Sequence, residues 1–134
     1  INKKPLFIVD GAHNAGAADK MAESVRHYFN GKKLIYIMGV FADKEYKIVL
    51  EKTAHFAEKI YTIETPDNPR ALPAEELAKA ARVYNSSAES TKSIKDAVEK
   101  AFSCAGDDEN SVILAFGSLS FIGALTDAVE EYVG

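Results

Sequence analysis

Leu6-Phe7-Ile8-Val9-Asp10-Gly11-Ala12-His13-Asn14 is the stretch whose reading decides the fold. Four consecutive apolar residues suit a strand covered on both faces, as in a parallel sheet flanked by helices. The chain then changes abruptly to an acid, a glycine, an imidazole and an amide. In open α/β sheets ligands bind beyond the carboxyl ends of the strands, where a helix N-terminus offers free N–H groups and the positive end of its dipole. Asp10, His13 and Asn14 are therefore expected to meet a polar ligand.

Outward from that junction the same alternation repeats. Apolar runs with strand character lie at Leu34 to Met38, Ile60 to Ile63 and Val112 to Phe116, with helical spacing between them. A first helix is predicted from about Ala15 to Asn30, capped by Asn14 and stopped by Gly31. A second runs through Tyr46, Leu50 and Ala57, capped by Asp43. A third opens on Pro73 with Glu75 and Glu76 in its first turn. Ile94 to Phe102 and Phe121 to Tyr132 give the fourth and fifth. The polar segment Asn85 to Glu89 reads as a minor edge strand or a loop. The fold class is thus α/β, a Rossmann-like, mostly parallel sheet of four to six strands with helices on both faces. Right-handed crossovers and an edge position for residues 85 to 89 would set strand 112–116 beside strand 6–9.

The 134 residues make one domain, 1–134, and start at Ile1 rather than methionine, which suggests a piece of a longer chain. A net charge of −4 and a pI near 5.4, with no basic cluster interleaved with aromatics, argue against nucleic acid as a partner. Cys104 is the one cysteine, so an internal disulfide is excluded. It reads as a half-buried structural thiol in a reducing, cytoplasmic compartment. No apolar stretch is long enough for a membrane span, and no metal-spaced Cys/His set is present.

Three turns after strands carry the chemistry. In the first, Asp10 can accept from a ribose or ammonium donor, and His13 can donate to a phosphate or carboxylate oxygen. The competing account is an ordinary capped βα turn, which the histidine makes less apt. Lys44, in Gly39-Val40-Phe41-Ala42-Asp43-Lys44, is an anion ligand or a solvated lysine. Ser118, in Phe116-Gly117-Ser118-Leu119-Ser120-Phe121, suits both an N-cap and a ligand contact. Arg70, in the proline-rich loop Glu64 to Leu72, is a bidentate anion ligand or a solvated residue. His27 and His55 read as structural. There is no G-x-x-x-x-G-K-[ST] phosphate loop and no G-x-G-x-x-G.

Leu6 to Asn14, Met38 to Lys44, Asn68-Pro69-Arg70-Ala71-Leu72-Pro73-Ala74-Glu75-Glu76-Leu77 and Leu114 to Gly123 together resemble, in order and spacing, the C-terminal domain of the folylpolyglutamate synthase/dihydrofolate synthase family, within the Mur-ligase-like enzymes. The resemblance implies ATP-dependent ligation. ATP phosphorylates a folate or dihydropteroate carboxylate, and L-glutamate attacks the acyl phosphate. It matches Asp10 and His13 to nucleotide- and phosphate-side contacts, with His13 the catalytic candidate, and Asn14 to the turn itself. Lys44 and Ser118, with Arg70, match positions facing phosphate or amino-acid carboxylates. It further implies a P-loop domain of the same chain as partner, holding most of the Mg2+ contacts and absent from this sequence, so that the fragment alone should be inactive. Ala15 stands where many relatives have proline, and the family's arginine upstream of the first strand falls outside the chain. The alternatives are a non-catalytic α/β module that binds an anionic metabolite, and the same domain of a peptidoglycan-type amino-acid ligase.

Overall fold

The computed structural model describes residues 6–10, 15–40, 42, 46–65, 69–106, 110–117 and 122–133. Five strands, β1 (Leu6–Asp10), β2 (Lys33–Gly39), β3 (Lys59–Thr62), β4 (Ala88–Ser90) and β5 (Ser111–Gly117), alternate with five helices. These are α1 (Ala15–Tyr28), α2 (Tyr46–Thr53), α3 (Ala74–Arg82), α4 (Ile94–Ala105) and α5 (Ile122–Val133). All the pairings are parallel and the order is β1-β5-β2-β3-β4. The expected neighbours, strand 112–116 beside strand 6–9, are in register from Leu6 opposite Val112 to Asp10 opposite Phe116.

The central strands read as unbroken apolar runs because both faces are covered. Leu34, Tyr36 and Met38 pack with α1, α2 and α3, whereas Ile35 and Ile37 pack with α4 and α5. Leu34 to Met38 are essentially inaccessible to solvent. Each such side chain contributes about 1.5–3 kcal/mol of burial, so the sheet centre carries the stability. Right-handed crossovers fix which helix lies on which face: connections running toward β4 use one face, and the return from β4 to β5 uses the other.

Three boundaries differ from the sequence reading. The second helix ends at Thr53 instead of continuing to Ala57, and Ala54–Phe56 tighten into a 3-10 turn. Thr53 Oγ1 donates back to the Val49 carbonyl at 2.7 Å, a local bond that competes with helix continuation. The first helix ends at Tyr28, two residues early, and Gly31 takes φ +83° beyond it. The ambiguous 85–89 segment becomes β4 only from Ala88, while Asn85 anchors the turn before it. Asn85 Nδ2 donates to the Ala54 and Ala57 carbonyls at 2.8 and 2.7 Å, and its Oδ1 accepts from the Ser87 amide at 3.0 Å. The expected caps Asn14 and Asp43, and Phe121, lie outside the described residues. No helix is long and apolar enough to cross a membrane among the described residues.

Candidate functional site

The carboxyl ends of three adjacent strands form one edge. Asp10 closes β1 opposite Phe116, and Gly117 closes β5 opposite Gly39, the last residue of β2. The segments that carry His13 and Asn14, Ser118, and Lys44 therefore leave from strand ends that lie side by side. Those four residues are themselves outside the described residues. Asp10 is placed by its backbone as the end of the edge strand β1.

Arg70 reaches the same edge through its main chain. Its carbonyl accepts from the Ala42 amide at 2.8 Å, and the Leu72 amide donates to the Val40 carbonyl at 3.0 Å. Residues 70–72 are thus laid along the chain leaving β2, although in sequence they follow β3, which ends at Thr62. Gly39 is closely packed: a Cβ there would sit 2.5 Å from Ile63 Cδ1 and 3.0 Å from its Cγ1, so the Ile63 side chain would have to shift. Thr62 Oγ1 donates to the Ala74 carbonyl at 2.7 Å, and Thr91 Oγ1 donates to the Thr62 carbonyl at 2.8 Å. These two buried hydroxyls tie the ends of β3 and β4 to the start of α3. Thr65, 1% exposed, differs from them: among the described residues its Oγ1 has no hydrogen-bond partner. Sequence reasoning passed over Thr65, since a lone threonine after a strand carries no pattern.

Two open grooves flank the sheet. One, of about 630 Å3, lies at the carboxyl edge on the α4/α5 side, lined by Glu64, Thr91, Lys92, Lys95, Asp127 and Glu131 among others, and carries charges of both signs. The other, of about 690 Å3, runs along β3 and β4 beneath α4. There Glu89 accepts from Lys100 at 3.0 Å and from Lys59 at 3.1 Å, which holds its carboxyl below the usual range. Burial pushes the Tyr61 phenol up to about 12. Cys104 is half-buried there, as expected of a structural thiol. His27 meets its sequence neighbour Tyr28 edge-on, with ring centroids 4.6 Å apart, and His55 lies tilted against Phe56 at 4.1 Å. Among the described residues no group of three His, Cys, Asp or Glu side chains could hold a metal ion.

Comparison with known proteins adds a family. The model of the Mur ligase, glutamate ligase domain matches residues 1–119. A dihydrofolate synthase/folylpolyglutamate synthase from Bacillus subtilis is 28% identical over 122 residues, which cover 91% of this chain and 27% of the relative. The folylpolyglutamate synthase of Mycobacterium tuberculosis, solved with ADP, superposes with a TM-score of 0.80 at 25% identity, covering 92% of this chain and 29% of that one. Escherichia coli FolC, solved with ADP and without folate substrate, superposes with a TM-score of 0.83 at 20% identity over 99% of this chain and 31% of its own, a likeness of fold. The chain spans less than a third of the length of each of these proteins.

Proposed function

The chain belongs to the Mur ligase, glutamate ligase domain family, and from that premise we propose that it is the nucleotide- and amino-acid-facing domain of an ATP-dependent ligase. The reaction joins L-glutamate to the carboxylate of a folate or dihydropteroate. The observation that carries this reading is the alignment of three strand ends, Asp10, Gly117 and Gly39, with the Arg70 segment bonded to the chain leaving β2. It supports a single edge where the four segments bearing the sequence-predicted polar residues converge.

The chemistry runs in two steps. A carboxylate oxygen of the acceptor attacks the γ-phosphorus of ATP, ADP leaves, and an acyl phosphate forms. The glutamate amine, after losing a proton, attacks the acyl carbon, and inorganic phosphate departs with the electron pair of the broken C–O bond. Negative charge accumulates on phosphate and acyl oxygens in both steps, so preorganised donors lower the barrier. Asp10 would accept from the nucleotide's ribose, and Asn14 would hold the turn. His13 would donate to a phosphate or glutamate oxygen. Lys44, Arg70 and Ser118 would meet phosphate or amino-acid carboxylate oxygens. A P-loop domain of the same parent protein would hold ATP and most contacts to its magnesium ion, which leaves the isolated domain inactive.

The test is phosphate release by the full-length protein. It is expected only with ATP, L-glutamate and a folate or dihydropteroate together, and His13→Ala should lower it by about a hundredfold or more, the loss typical of removing one donor to developing charge. Amino-acid ligation without any folate would instead place the parent among peptidoglycan-type ligases. Absence of ATP turnover with every acceptor would leave an anion-binding module.

A further inference from the structure

Thr65 carries a buried hydroxyl just past β3. Its side chain is almost wholly buried, its Oγ1 lies 3.4 Å from where a Cβ on Gly39 would stand, and among the described residues it has no hydrogen-bond partner. A buried hydroxyl without a partner is destabilising, and valine would fill the same volume without that cost. Its place makes the cost informative. Thr65 follows β3 by three residues and sits on the end of β2, and five residues later Arg70 returns to that same strand end, where residues 70–72 bond Val40 and Ala42. Thr65 and residues 70–72 thus both meet the end of β2, the latter through backbone hydrogen bonds and Thr65 through a side chain whose hydroxyl has no partner among the described residues.

We propose that Thr65 is a positioning residue for the amino-acid half of the site, its hydroxyl taking up a hydrogen bond when the amino acid's carboxylates engage the Arg70 loop. This rests on the ligase reading and adds to it a residue that acts through the loop. A second orphan hydroxyl, Ser111 Oγ, is fully buried at the first residue of β5, on the opposite edge of the sheet. It serves as the control, since a buried hydroxyl far from the carboxyl ends of the strands has no ligand to wait for.

The experiment compares Thr65→Val, Thr65→Ser and Ser111→Ala in the full-length protein, by steady-state kinetics and by thermal unfolding without ligand. Thr65→Val is expected to raise the unliganded Tm by a few degrees, because it removes an unpaired polar atom. It should also raise the KM for L-glutamate about tenfold, the worth of one hydrogen bond to a charged group, while kcat and the KM for ATP change less than about twofold. Thr65→Ser should restore the glutamate KM, and Ser111→Ala should leave it unchanged. A glutamate KM unaltered in Thr65→Val overturns the proposal, as does a rise shared equally with ATP. A lower unliganded Tm also overturns it, because the hydroxyl would then already have a structural partner. If the wild type shows no glutamate-dependent turnover, the ligase reading fails by itself, and an unliganded Tm of Thr65→Val no higher than wild type overturns the orphan-hydroxyl argument separately.

Discussion

Gly39 shows how one residue can be fixed by packing at a place where function is also expected. The sequence reading singled it out as the end of a strand that leads into Lys44, and nothing in that reading distinguished a ligand-facing glycine from a packing one. The structure puts Ile63, fully buried, across it, so that an added Cβ would overlap the Ile63 side chain at 2.5 Å. Gly39→Ala is expected to cost about 1–3 kcal/mol, the range for overpacking, measured as a fall in the midpoint of denaturant unfolding. A neutral effect would mean that Ile63 has room to turn. At this scale the sequence was legible in placing Asp10 at the end of a strand. It was silent on Thr65, whose significance comes from what surrounds its hydroxyl.

The elements were read with most success where periodicity was strong and least where a single side chain set the boundary. All four apolar runs became strands, and the five helical patterns became helices, because burial on one or both faces enforces those spacings. The end of α2 and the start of β4 went differently. Thr53 closes the helix through its own hydroxyl, and Asn85 joins the turn before β4 to the carbonyls of the 3-10 turn. Asn85→Ala would remove the side-chain donor from both carbonyls, leaving that of Ala54 with the Ala57 amide at 3.2 Å, and would lose the Ser87 amide contact. A loss of about 1–3 kcal/mol in unfolding free energy is expected, with β4 amides exchanging faster than those of β5. Retained protection across β4 would show that the ion pairs of Glu89 suffice to hold that strand.

At the scale of the whole molecule, the edge strand β4 carries ion pairs beside its backbone pairing with β3. Glu75, paired with Arg82 at 3.0 Å and with the Ser90 hydroxyl at 2.8 Å, and Glu89, paired with Lys100 and Lys59, both have lowered carboxyl pKa values. A carboxylate with a lowered folded-state pKa adds stability that is present above its unfolded value of 4.5 and is lost as pH falls through the folded value. Lys100 and Lys52, raised by Glu89 and Asp19, contribute below 10.5 and lose that contribution as pH rises through their folded values. Stability should therefore be level between these limits, fall on both sides, and fall less steeply in acid for Glu75→Gln/Glu89→Gln. Because the pairs are exposed, added salt should flatten the profile, and denaturant midpoints across pH at two ionic strengths check this. The sequence by itself determined the β/α alternation and the parallel sheet covered on both faces, because apolar periodicity and residue type are local properties of the chain. Only the tertiary structure decided that β5 also pairs with β2, that residues 70–72 return to the end of β2, and that Thr65 is sealed there with no partner among the described residues. Those outcomes depend on crossover geometry and on contacts between residues far apart in the chain, which no local pattern encodes.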